Sequence, residues 1–157
     1  MVDSHCHLAG EEFAADLPEV VSRARAAGLD RALVILSATD AGELERASRV
    51  AEAWPDVRFA VGVHPHQAGQ FADDPAGAAR AVAEALDRLP HVVALGEMGL
   101  DYHYDFAPRA AQGPVFAAQL ALARERNLPI VIHTREAEAD TVSLLQEAGQ
   151  GIRGVVH

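Results

Sequence analysis

Five residues have the chemistry and placement to hold metal: His5, His7, Glu97, His133 and His157. His5 and His7 stand two apart in Asp3-Ser4-His5-Cys6-His7. On a strand such residues share a face, where two neutral imidazoles can donate lone pairs to one divalent ion. A plain pair of histidines at a strand end fits equally well, since His-x-His is a short pattern. Glu97 follows the apolar run 92–96 and is flanked by Gly96 and Gly99. A carboxylate buried there without a partner is costly, and glycines mark close backbone approach. A carboxylate bridging two ions explains both features; an ordinary loop glutamate is the competing reading. His133 and His157 each end a short apolar run, Ile130-Val131-Ile132-His133 and Gly154-Val155-Val156-His157.

Around these five lie weaker signals. Arg135, two residues past His133, reads as an anion contact, or as a helix-start arginine paired with Glu136 or Glu138. His64-Pro65-His66 follows another apolar run, where proline interrupts a regular strand. The segment reads as a loop that lines the site rather than ligating. His91 and His103 receive no role. Cys6 points away from its histidine neighbours and has no base beside it, so it is not a nucleophile candidate. Trp54 and Phe59 read as core, and Glu11-Glu12 and Asp73-Asp74 as solvated.

Positioning these groups requires strands. Runs 1–5, 31–37, 57–63, 92–96, 130–133 and 154–157 have the apolar, β-branched character of buried strands. Runs 13–27, 41–53, 76–89, 108–126 and 137–148 are rich in Ala, Leu, Glu and Arg and read as helices. Gly28 and Gly149 sit where helix ends favour a left-handed residue, and Asp40 is placed to cap a helix start. Six strands alternate with five helices, the pattern of repeated βαβ units and a parallel sheet. On an open sheet, ligands on the first, fourth, fifth and sixth strands would spread over roughly 14 Å even in a favourable order. A (β/α)8 barrel points such strands at one centre on its carboxy-terminal face. The expected architecture is therefore a TIM-type barrel represented by its first six βα units, one partial domain over 1–157.

Composition narrows the rest. The chain has 157 residues, a net charge of −10, and 13 basic residues that are all arginine. Acidity argues against a broad electrostatic footprint for nucleic acid, but not against a small site whose positive charge comes from metal. The single cysteine excludes an internal disulfide and fits a reducing cytoplasm. No membrane span or signal peptide is visible, and no protein partner can be inferred.

Taken together, MVDSHCHL, GVHPH, ALGEMGLDYHYD, APRAAQGPVFAAQLALARERNLPIVIHTREAEADT and GVVH, in that order, resemble the TatD family of metal-dependent deoxyribonucleases, within the amidohydrolase-type barrels. Two positions depart from the family pattern. Ala9 stands where Asp or Asn is usual, and Ala139, next to Asp140, where an acidic residue is usual. The family also continues past GVVH into two further strands, the last with an ETD-x-P motif whose aspartate ligates metal and serves as base. The expectation is thus of a chain that stops inside its own site and, in isolation, folds poorly and is inactive.

The resemblance implies a two-metal hydrolase that removes nucleotides from the 3′ end of DNA or RNA. His5 and His7 would hold one ion together with that aspartate, and His133 and His157 the other. Glu97 would bridge them as the catalytic carboxylate, and Arg135 and His64 would contact the scissile phosphate. The ions would be Mg, Mn or Zn. Two alternatives stand beside this: hydrolysis of an amide or carboxylic ester by the same type of barrel, and a non-catalytic metal-binding fragment.

Overall fold

The computed structural model describes residues 1–157. Six strands, β1 (Val2–Cys6), β2 (Arg31–Ser37), β3 (Arg58–Gly62), β4 (Val92–Asp101), β5 (Ile130–Arg135) and β6 (Gly154–Val156), alternate with α1 (Leu17–Ala26), α2 (Ala41–Ala53), α3 (Pro75–Arg88), α4 (Arg109–Arg126) and α5 (Glu138–Ala148). The strands pair in chain order, β1-β2-β3-β4-β5-β6, and every pairing is parallel.

The sheet is curled. In a flat six-stranded sheet the first and last strands lie about 24 Å apart. Here the ring of His5, on β1, stacks on the ring of His157, just past β6, with centroids 3.8 Å apart. Only a sheet bent into an arc brings them together, which is the partial barrel the strand count implies. The two edge strands each have one neighbour, and Val2, Val155 and Val156 stay exposed there. No helix is long and apolar enough to cross a membrane.

Residue parity divides the two faces. Val34, Leu36, Phe59, Val61, Leu95, Ile130 and Ile132 pack with the helices in the main core. Ile35, Ala60, Ala94 and Val131 form a second, small cluster on the inner face. His133, two residues beyond Val131, inherits the inner face. Glu97 does so only because β4 carries an irregularity. Leu95 pairs with Ile130 and Met98 with Ile132, so three steps on β4 match two on β5. Leu95 and Met98 both reach the helix-side core, and the extra residue turns Glu97, Gly99 and Asp101 inward. Gly62 makes room opposite, since a Cβ there would lie 2.7 Å from the Gly96 Cα.

Several boundaries differ from the sequence reading. Strand β4 does not stop at Gly96 but runs to Asp101, because the charged residues that interrupt its apolar run face the site. Likewise β5 continues through Arg135, so Arg135 is a strand residue and not a helix start. Helix α1 begins at Leu17 with Pro18 in its first turn, and a short 3-10 turn over Glu11–Phe13 precedes it. Proline suits the first helical positions because its missing N–H has no partner there. Asp40 caps α2 as expected, accepting from the Glu43 N–H at 2.9 Å, and both Gly28 and Gly149 adopt φ of 86°.

Helix α4 is fastened to the carboxy-terminal end of β3 by Gln119, which is fully buried. Its Oε1 accepts from Val63 N–H at 2.8 Å and its Nε2 donates to Val63 C=O at 3.0 Å. Gln119→Leu fills the same space but orphans both backbone groups. The expected loss is roughly 2–5 kcal/mol, seen as a melting temperature lower by roughly 5–20 °C. A melt unchanged within about 2 °C would show that water replaces the amide.

Candidate metal centre

All five expected donors stand in, or just past, the carboxy-terminal halves of their strands. Glu97 is central and buried. Its Oε2 lies 3.2 Å from His5 Nε2, and its Oε1 lies 2.9 Å from His133 Nδ1 and 3.9 Å from His64 Nε2. One carboxylate thus faces two imidazole groups with its two oxygens. The donor atoms of His5, His7 and Glu97 lie within 4.8 Å of one another, and so do those of His64, His66 and His133. His157 joins the first side by stacking on His5, and the second group draws instead on His64 and His66. The His64-Pro65-His66 segment enters a 3-10 turn, Pro65–Phe71, whose start is capped by His64 Nδ1 accepting from His66 N–H at 3.2 Å.

Asp101 is the site residue that the sequence reading passed over. It has 0% exposure. Its Oδ1 accepts from the N–H groups of His103 and Tyr104, both at 3.0 Å. Its Oδ2 meets His66 Nε2 at 2.8 Å and His133 Nε2 at 3.0 Å. With Asp101 accepting the proton on Nε2, the His133 atom facing Glu97 is Nδ1. The signal was present: Glu97, Gly99 and Asp101 are two apart on one strand, so a strand carried past Gly96 puts Asp101 on the face of Glu97. His66 carried no comparable signal, because nothing periodic fixes a residue in a loop.

The electrostatics favour ligation. Burial raises the cost of a charge on Glu97, but the His133 hydrogen bond and the neighbouring His64 and His5 outweigh it and hold the carboxyl at about 2. Asp101 is likewise desolvated, yet its four donors hold it below the usual range. Burial lowers His5 and brings His64 down to about 4, leaving both neutral at neutral pH; the His5 nitrogens are unpartnered, whereas the His64 lone pair, on Nδ1, accepts from His66 N–H. His133 goes the other way: the Glu97 hydrogen bond, set against burial and helped by Asp101, raises it.

A divalent ion fits this donor set. Both ring nitrogens of His5 are buried without a hydrogen-bond partner. An imidazole so placed, beside an ionised carboxylate and a second imidazole, has what an ion needs and lacks what a core histidine needs.

The other expected contacts are at the rim. Arg135 lies over the Tyr104 ring, its Cζ 4.8 Å from the centroid. Glu136, one of the two partners offered for it in the competing reading, pairs instead with His103 at 2.8 Å. Cys6 packs against the core, and burial pushes its thiol up to about 11. Next to the donors opens a cavity of about 270 Å³ whose polar lining includes His7, Ser37, Glu43, His64 and Glu97.

Glu43 is half enclosed there and accepts from Ser37 N–H at 2.6 Å. Burial raises its carboxyl, against the opposing Ser37 hydrogen bond. A folded-state value above the unfolded one means that the ionised form costs stability once pH exceeds both values, and costs nothing below both. Glu43→Gln keeps an acceptor for Ser37 and removes the charge. Its melting temperature relative to the parent is expected to rise between pH 4 and pH 7. A difference that is flat or falls with pH would exclude that burial cost.

A family profile described as TatD related DNase matches residues 2–157. The chain belongs to this family. It is 39% identical over 158 residues to the uncharacterized metal-dependent hydrolase YabD of Bacillus subtilis, covering 100% of this chain and 60% of YabD. It is 42% identical over 147 residues to the 3′-5′ ssDNA/RNA exonuclease TatD of Edwardsiella piscicida, covering 93% of this chain and 54% of that protein. Among solved structures, YJJV, a TatD homolog from Escherichia coli K12, superposes with a TM-score of 0.85 at 29% identity, over 100% of this chain and 59% of that one. A hydrolase of the TatD family from Entamoeba histolytica shares the fold, with a TM-score of 0.85 at 22% identity, over 100% of this chain and 57% of that one. The chain therefore spans between 54% and 60% of the length of these TatD relatives.

Proposed function

We propose that this chain carries the metal-binding part of a phosphodiester hydrolase that trims single-stranded DNA or RNA from the 3′ end. The observation that carries the reading is Glu97, whose two oxygens face two separate imidazole groups. His5, His7 and Glu97 would hold one divalent ion, with His157 beside His5. His133, with His66, would hold the second near the other oxygen of Glu97. Bound there, two ions lower the pKa of a water and clamp the attacking and leaving oxygens of a phosphodiester; Mg, Mn and Zn all suit mixed nitrogen and oxygen donors.

The protein's own groups do the positioning. Asp101 fixes the His133 ring through Nε2 and the His66 ring through the same carboxylate oxygen, so Nδ1 of His133 stays directed at Glu97. His64, neutral at physiological pH, and Arg135, a permanent cation at the rim, would contact phosphates of the strand. The similarity to an exonuclease named for single-stranded DNA and RNA favours a nucleic-acid substrate over the amide or lactone that the same barrel type also accommodates.

Two arms test this. Calorimetric titration with Mn or Zn is expected to show uptake at the Glu97 site, whether or not turnover follows. Incubation of a metal-loaded chain of the relatives' full length with end-labelled single-stranded DNA is expected to release mononucleotides from the 3′ end, chelator should stop it, and residues 1–157 alone are expected to release none. Metal uptake with no product would reduce the protein to a metal-binding remnant. Turnover confined to amides or lactones would move it to the C–N or ester hydrolases.

A further inference from the structure

Beyond Asp101 the chain turns outward and presents two aromatic rings to solvent at the mouth of the metal centre. Phe106 is 66% exposed and Tyr104 39% exposed. Their centroids are 5.3 Å apart, with the rings inclined at 37°. The pair is tied to the site on both sides. His66, which shares Asp101 with His133, lies 4.6 Å from the Phe106 ring. Arg135 covers the Tyr104 ring and its Nη1 donates to the Tyr104 hydroxyl at 3.4 Å. The backbone beneath is pinned, because Tyr104 N–H donates to the buried Asp101 carboxylate.

Phe106 is left two-thirds exposed beside a polar site. The chemistry that matches is a flat apolar partner joined to an anion. A nucleobase stacks on aromatic faces, and the guanidinium that lies over the Tyr104 ring takes the neighbouring phosphate. On a chain with net charge −10, a cation beside exposed rings is a local exception to the prevailing sign. A base inside a duplex has its faces covered by its neighbours, so the platform accepts unpaired strands.

We propose that Tyr104 and Phe106 form a stacking platform for a base of the single strand whose phosphate enters the Glu97–His133 centre, with Arg135 on an adjoining phosphate. This rests on the reading of the substrate as nucleic acid.

The test is binding by fluorescence anisotropy, in chelator, to three probes: a short single-stranded oligonucleotide, the same sequence as a blunt duplex, and an abasic strand of equal length. Phe106→Ala and Tyr104→Ala are each expected to weaken single-strand binding by about 5-fold to about 150-fold and to leave abasic-strand binding unchanged. Phe106→Trp should retain binding, with its emission quenched as the strand binds. Alanine variants that bind like the parent while 3′ trimming continues would overturn the platform and leave the function standing. Equal losses on the based and abasic strands would also overturn it, by showing that the rings do not act on bases. If the parent binds none of the three probes yet hydrolyses bis(p-nitrophenyl) phosphate with metal, the platform and the nucleic-acid reading both fall and the metal-hydrolase reading survives.

Discussion

Glu97→Gln is expected to abolish metal-dependent hydrolysis and to leave the protein unable to hold ions in both donor groups. The substitution keeps shape and volume but replaces one carboxylate oxygen with an amide that cannot donate a lone pair. Either His5 or the His133 group then faces an N–H₂ in place of an anion. A metal centre supplies several kcal/mol of transition-state stabilisation, and each 1.36 kcal/mol is tenfold in rate. Turnover should therefore fall by at least about 1000-fold. Bis(p-nitrophenyl) phosphate hydrolysis and bound-metal analysis read the two effects separately. Parent-like metal content together with parent-like turnover would remove Glu97 from the mechanism.

Asp101→Ala should have the largest effect on stability. The carboxylate is fully buried and satisfies two backbone N–H groups and two imidazoles. Removing one member of a buried charged network costs about 3–5 kcal/mol, which here corresponds to a melting temperature lower by roughly 6–20 °C. Asp101→Asn separates charge from space. Its carbonyl can still accept from His103 and Tyr104, while its N–H₂ confronts the N–H groups of His66 and His133. That variant should fold better than the alanine form and still bind metal about 10–100-fold more weakly, because the ring of a ligand has lost its orienting partner. A parent-like melt for Asp101→Ala would mean that the network is not a structural element. Parent-like metal affinity for Asp101→Asn would mean that His133 needs no orienting partner.

The alternation of strands and helices was legible because each strand is a short β-branched run and each helix a longer Ala- and Arg-rich one. The barrel followed from convergence, since an open sheet keeps its ligands apart. Where the strands end was less legible. Apolarity stops at Gly96 because the next inward residues are Glu97, Gly99 and Asp101, so a reading by hydrophobicity fails where the site begins. The irregularity that turns Glu97 inward depends on pairing with β5; its local mark, Gly96 with φ of 137°, signals an irregular strand without giving the register. The five candidate donors were read from their types near strand ends; His66 and the grouping of His64 with His133 depend on how the 3-10 turn folds over the sheet.

The strictly sequential pairing of β1 through β6 bears on how the centre comes into being. Each strand docks on the one made just before it, so native pairing can follow synthesis with little loop closure at each step. The candidate donors do not share that economy. His5 emerges first and meets His157 only when the sixth strand is in place, after roughly 8–30 s of translation. Formation of the His5–His157 stack is therefore a late event, and its appearance during refolding would report completion of the arc rather than its nucleation.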